Sequence, residues 1–323
     1  MRVHHEIPRT VVFVGTEASG RFVPVGSGFL GGVTLNDVHF PFLVTADHVV
    51  DLIKADEIAV RLNRKDAEPL VVRIPKAHKF GDHRNDIALF GFTWPGNIEH
   101  NAVHLSRAEH EDRQKALMLP GIGDEVATVG LYASHYGYTR NVPVVRIGNI
   151  ARMPDEEQVR STRGYCSAYL IETRSIMGLS GSPVFLNVPR IKVEQNGELK
   201  TLSGDGVGAY PIGMMVGYHL VRSAEDQIAI PHDEDSQPGP DTDERNTGFA
   251  VVIPFEAILD IMETAPVKRS IEKGAEAFHA NLKVRPAGAT PVLDDEEVAK
   301  RRDEALKRAL ATPPKPKTKP DAV

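Results

Sequence analysis

Thr45-Ala46-Asp47-His48-Val49, Asn85-Asp86-Ile87-Ala88-Leu89 and Gly178-Leu179-Ser180-Gly181-Ser182-Pro183 are the stretches on which the reading of this chain turns. They present a histidine, an aspartate and a serine in that order. A serine hydroxyl is a weak nucleophile at neutral pH and needs a base; imidazole titrates in the range that suits the task. The imidazole needs a carboxylate to fix its tautomer and to stabilise its charged form. Glycines beside the serine let backbone N–H groups turn inward, where two of them stabilise a developing oxyanion. The candidate parts are His48 as base, Asp86 as its orienting acid, Ser180 as nucleophile, and the N–H groups of Gly178 and Ser180 as an oxyanion hole. Taken singly, each stretch has an ordinary reading: one of 13 histidines, an aspartate in a turn, a Gly-Ser-Pro loop. Their order and flanking residues together favour the chemical one.

The order discriminates among hydrolases. One large class runs Ser, acid, His and another runs Asp, His, Ser. The elbow G-x-S-x-G also fails, because position 182 is Ser. The three stretches resemble the signatures of the chymotrypsin-like serine proteases, and Gly26-Ser27-Gly28-Phe29-Leu30 resembles the strand that precedes the histidine in that family. The resemblance covers about residues 10–263. It implies an all-β fold of two six-stranded antiparallel barrels with a C-terminal helix, and a serine endopeptidase site in the cleft between barrels. Leu179 departs from the aspartate that digestive and clotting relatives carry before the nucleophile, so activation by a freshly cut N-terminal amine is not expected.

Val216-Gly217-Tyr218-His219, together with Thr247-Gly248-Phe249-Ala250-Val251, is similar to the bacterial glutamyl-endopeptidase branch of the family. That likeness implies that the strand carrying Val216 and Gly217 runs beside an extended peptide substrate. It also implies that His219, with Arg174 and Ser175, reads an acidic side chain before the cut. Charge-assisted contacts would favour such a partner.

Runs rich in Val, Ile and Phe predict strands at Thr10–Gly15, Phe22–Leu30, His39–Thr45, Ala59–Leu62, Val71–Ile74 and Ile87–Phe92. A second set is predicted at Glu125–Leu131, Val142–Ile150, Tyr169–Glu172, Ser182–Phe185, Ile212–Tyr218 and Gly248–Ile253. Pro254 then opens a helix, Phe255–Glu263. The expected organisation is an N-terminal barrel over 10–112 holding His48 and Asp86, a C-terminal barrel over 113–263 holding Ser180, and a charged helical or disordered tail over 264–323. Residues 188–206 read as a hairpin insertion, residues 223–247 as an acidic surface flap, and Asp294–Arg308 as a solvated helix.

Composition narrows the remaining classes. The chain has 323 residues, 41% hydrophobic and 25% charged, with a formal charge of −6; nothing in that bulk charge points to nucleic acid. The single cysteine, Cys166, rules out an internal disulfide and reads as a buried small residue. The start MRVHHEIPRTVVFVG lacks the apolar core of a signal peptide, and no stretch approaches the length of a membrane span, so a cytoplasmic protein is expected. The acidic segment lacks the spacing of an EF-hand loop. The expected partner is a protein or peptide substrate, with no nucleic acid, membrane, cofactor or metal; the sequence sets no oligomeric state. Two further readings use the same residues: a catalytically silent scaffold that binds peptides in the cleft, and an esterase for small acyl compounds.

Overall fold

Ser19 and Gly20, and again Asn36 and Asp37, have φ of 52°, 73°, 50° and 61°. Two successive left-handed residues make the two-residue hairpin turn whose twist suits the flanking strands. These turns join β1 (Val11–Ala18), β2 (Arg21–Leu35) and β3 (Val38–Ala46) into a meander. The structure is a computed structural model that describes residues 3–65, 67–93, 97–117, 120–132, 135–155, 158–161, 163–173, 178–187, 191–193, 199–201, 210–221 and 245–284.

After β3 come the short helix α1 (Asp47–Leu52), then β4 (Glu57–Arg64), β5 (Ala67–Pro75), β6 (Phe80–Asp82), β7 (Ile87–Gly91) and β8 (Val103–His104). They form one eight-stranded sheet in the order β5-β4-β1-β2-β3-β7-β6, with β8 parallel to β2. Helix α2 (Arg107–Leu117) leads to the second half. There β9 (Glu125–Gly130) and β10 (Val144–Arg152) are followed by the small hairpin of β11 (Val159–Ser161) and β12 (Gly164–Cys166). Next are β13 (Tyr169–Glu172), β14 (Pro183–Leu186), the paired β15 (Ile191–Val193) and β16 (Leu199–Thr201), β17 (Tyr210–Val221) and β18 (Arg245–Pro254). The order β10-β13-β18-β17-β14-β9 closes into a six-stranded barrel.

All twelve expected strands are present. The expectation of two closed six-stranded barrels is met by one such barrel; the other half is the eight-stranded sheet, whose strand path runs from β5 to β6. The extra strands, β6 and β8, have three and two residues, too few to show an alternating pattern in the sequence.

Period-two alternation builds the core. On β18, Ala250 and Val252 belong to the apolar cluster of the barrel, while Val251 and Ile253 join the larger cluster that continues into the first sheet. On β14, Val184 and Leu186 belong to the barrel cluster and Phe185 to the larger one. Pro254 is the N-cap of α3 (Phe255–Met262), whose Phe255, Ile258, Leu259, Ile261 and Met262 are buried. Helix α4 (Ala265–Val284) follows, with Val267, Ile271 and Ala275 buried at a helical spacing. The chain divides into two compact units, Met1–Ala275 and Glu276–Val323; in the second, the described residues are the end of α4. No helix among the described residues is long and apolar enough to cross a membrane. The expected flap at 223–247 lies outside the described residues up to Asp243 and Glu244, and the helix expected at Asp294–Arg308 lies wholly outside them.

Candidate active site

Asp86 sits in a tight turn with φ of +54°, a left-handed conformation that aspartate tolerates better than most residues. The preceding turn is fastened by Asp82, whose carboxylate accepts from the Arg84 and Asn85 N–H groups and from the Asn85 amide at 2.6 Å. Asp86 is 0% exposed and meets α1 three times. Its carbonyl accepts from the Asp47 N–H at 3.0 Å, Oδ1 accepts from the His48 N–H at 2.8 Å, and Oδ2 lies 2.6 Å from His48 Nδ1. The first N–H groups of a helix have no partner within it, so one aspartate both caps α1 and holds the ring of its second residue. A carboxylate only accepts, so the bond to Asp86 selects the tautomer with the proton on Nδ1, in which a neutral ring has its lone pair on Nε2.

Ser180 lies in the turn before β14. Gly178 and Gly181, with φ of +96° and +86°, adopt the left-handed conformation that favours glycine. A side chain at Gly181 would run into the Ser27 carbonyl oxygen. The turn is fastened on both sides. Gly181 N–H donates to Met215 O at 2.8 Å and Ser182 N–H to Leu179 O at 2.9 Å, while Leu179 is buried in the barrel cluster. From the first sheet, Ser27 N–H donates to Ser180 O at 2.9 Å, and the Ser27 hydroxyl donates to Gly178 O at 2.7 Å. That hydroxyl also accepts from the Leu131 N–H at 2.7 Å, and Thr45 Oγ1 donates to Ser27 O at 2.7 Å. A Cβ at Gly26 would lie 2.7 Å from a Val49 methyl and 3.2 Å from Ser180 O. His48 and Ser180 are thus brought to the same stretch of β2.

Among the described residues, the N–H groups of Gly178 and Ser180 donate to no acceptor, and no hydrogen bond joins Ser180 Oγ to His48. Contacts between nucleophile and base are often long before substrate binds.

Val216 and Gly217, expected beside an extended substrate, lie on β17. Val216 is buried in the larger cluster and offers only its backbone, at a bulge where β18 pairs Met215 and then Gly217. Pairing with β14 ends at Met214, so among the described strands none pairs that edge of β17 at Val216 and Gly217. Arg174, Ser175 and the side chain of His219 lie outside the described residues.

Sequence reasoning missed Arg163. It stands in the β11–β12 turn, where Arg163 N–H donates to Ser161 Oγ at 3.2 Å. Its guanidinium is paired with Asp51, lies 3.4 Å from Asp47 Oδ2 and places Nε 3.5 Å from Asp86 Oδ1. The buried Asp47 is also held by Lys79 at 2.6 Å and His83 at 2.8 Å. Burial opposes its ionisation, but the bonds from Lys79 and His83 and the charges of Lys79 and Arg163 hold its carboxyl below the ordinary value. Cys166 is buried as expected, and burial, reinforced by the charge of Asp86, pushes its thiol up and away from reactivity.

No known family profile matches the chain, and no curated protein does. Among solved structures it is similar to the MamO protease domain from Magnetospirillum magneticum in its apo form, at 16% identity and a TM-score of 0.45, covering 80% of this chain and 99% of that one. It is also similar to Deg5, at 17% identity and a TM-score of 0.40, covering 65% of this chain and 80% of that one. At these identities and TM-scores the two likenesses carry no argument about what this chain does.

Proposed function

We propose that this chain is a serine endopeptidase. The observation that carries the reading is the 2.6 Å contact between Asp86 Oδ2 and His48 Nδ1, on a helix held against the same strand as the Ser180 turn. In this mechanism Ser180 Oγ attacks the scissile carbonyl while His48 Nε2 takes its proton. The Gly178 and Ser180 N–H groups receive the oxyanion, and His48 then passes the proton to the leaving amine. Water repeats the sequence on the acyl-enzyme. The substrate lies as an added strand along β17 at Val216 and Gly217. A preference for an acidic side chain before the cut rests on the sequence likeness of Val216–His219 and on Arg174 and Ser175.

A fluorophosphonate probe tests the reading. Labelling of the full chain that disappears in Ser180→Ala, whose fold is retained, supports it, since removing a triad nucleophile typically costs about 10⁶ in turnover. The second reading of the same residues, a silent peptide-binding scaffold, would leave well-folded protein unlabelled. A peptide-library profile dominated by basic or large apolar residues before the cut would remove the acidic preference and leave the nucleophile standing.

A further inference from the structure

We propose that Arg163 sets the basicity of the candidate catalytic imidazole, its guanidinium opposing proton uptake by His48 through the carboxylate the two share. The inference rests on the reading of His48 as base and Asp86 as its orienting acid. Arg163 touches neither the ring nor any reacting atom in this account; it is a positioning residue that acts through Asp86.

The geometry is specific. Arg163 Nε is buried, lies 3.5 Å from Asp86 Oδ1 and makes no hydrogen bond of its own. Nη2 is held by Asp51 and Asp47, and the turn beneath it is closed by Ser161 Oγ, which accepts from Arg163 N–H and donates to Gly164 O at 3.0 Å. Asp51 is 112 residues away in sequence, so the β11–β12 hairpin is tied by charge to the base of α1.

Charge balance gives the sign. Arg163 and the neutral Cys166 from the hairpin face Asp86; Arg163 in turn joins Asp47 and Asp51 on α1, and Asp47 is held by Lys79 and the exposed His83 from the segment around β6. Arg84, beside Gln158, is more peripheral. Leaving His83 out of the count, Asp47, Asp51 and Asp86 supply three negative charges, and Lys79 and Arg163 two positive ones. Protonating His48 cancels the remaining negative charge. Without Arg163 the same step starts from an excess of two, so the imidazolium is favoured more strongly. A base too ready to stay protonated is unavailable to the nucleophile near neutral pH. Arg163 therefore opposes protonation of the ring, and Asp51 moderates Arg163.

The test follows the histidine ring directly, independently of turnover. In the full chain labelled with ¹³C-histidine, the His48 signal is assigned by its loss in His48→Gln and titrated in wild type, Arg163→Gln, Arg163→Lys and Asp51→Asn. The His48 midpoint is expected to rise by about one pH unit in Arg163→Gln and to fall in Asp51→Asn. It should stay within about 0.3 unit of wild type in Arg163→Lys, since a shift of this size is what a nearby charge produces. Fluorophosphonate labelling of Ser180 is measured across the same pH range. Its acid limb should move with the midpoint, lowering the rate of Arg163→Gln below that limb about tenfold. A purely structural role would lower the melting temperature without these opposite shifts. Unmoved midpoints in both Arg163→Gln and Asp51→Asn would overturn the proposal. If Arg163→Gln does not fold, the fall in Asp51→Asn decides alone, because Asp51 is exposed and tolerates the change. Absence of labelling with shifted midpoints would sink the protease reading while leaving the role of Arg163 intact.

Discussion

Two buried aspartates, Asp47 beside His48 in sequence and Asp86 against its ring in space, are stabilised by different means. Asp86 accepts from the helix and ring of its neighbour, whereas Asp47 is held by cations. For Asp47 the consequence is a pH-dependent share of stability. Its carboxyl titrates below the ordinary value, so its contribution is complete above the unfolded value near 3.8 and disappears as pH falls through the folded one. Asp47→Asn keeps the shape but leaves Lys79 and Arg163 without that charge. It should cost about 1–3 kcal/mol at pH 7. Denaturant unfolding at pH 7 and pH 3 checks the sign: the deficit must shrink on acidification, and a deficit equal at both pH values would show that packing, not charge, is lost. At this scale the sequence was legible wherever the chemistry is local. His48, Asp86 and Ser180 announce themselves through their immediate neighbours. Arg163 does not, because an arginine before a glycine is ordinary, and all three of its carboxylate partners lie in the other half of the chain.

Elements are legible to the extent that they are long and apolar. The twelve main strands carry β-branched and aromatic runs, and α3 carries an apolar stripe after a proline. Helix α2 has no such stripe, and nothing in its sequence announces it. It is docked instead by His110, which is buried, stacks on Tyr210 at 4.9 Å between centroids and packs on Phe255 at 5.0 Å. His110 Nε2 lies 2.8 Å from Tyr210 Oη and 3.2 Å from Glu256 Oε1, which also accepts from the Gln114 amide. Burial opposes the charge on Glu256, but the bonds from His110 and Gln114 hold its carboxyl below the ordinary value. Burial and that carboxylate push the Tyr210 phenol well above its own, so it stays protonated. One imidazole thus joins α2, α3 and β17. His110→Ala should remove ring packing and leave Tyr210 and Glu256 short of a partner, costing about 2–4 kcal/mol. In thermal unfolding this is a fall of about 5 °C or more. A fall below 1 °C would mean that α2 is held by its surface ion pairs, chiefly Arg107 with Asp260 and Glu263.

At the scale of the whole molecule the question is how two sheets, each with its own strand path, present their residues to one another. Much of the answer is a serine in a glycine-rich strand. In the sequence Gly26-Ser27-Gly28 is legible only as a resemblance, since nothing local reveals that Ser27 faces the other half. In the fold Ser27 is 0% exposed, and it uses its N–H, hydroxyl and carbonyl at this junction. The N–H donates to Ser180 O, the hydroxyl donates to Gly178 O and accepts from Leu131 N–H, and the carbonyl accepts from Thr45 Oγ1. The strand that turns toward His48 and the turn that carries Ser180 therefore share one anchor. Ser27→Ala removes only an oxygen, yet it leaves the Leu131 N–H and the Gly178 carbonyl without partners in a buried seam. The expected loss of stability is about 1–3 kcal/mol. The effect on chemistry should be larger in kind. Gly178 supplies one of the two N–H groups proposed for the oxyanion, and such donors act only when held in place; losing one outright typically costs about 10²–10³ in rate. A turn loosened rather than deleted should slow fluorophosphonate labelling of Ser180 by about tenfold, measured well below the melting temperature so that unfolding does not contribute. Reduced stability with an unchanged labelling rate would show that Ser27 holds the two sheets together without shaping the site. A change in neither would show that the seam closes on its remaining bonds.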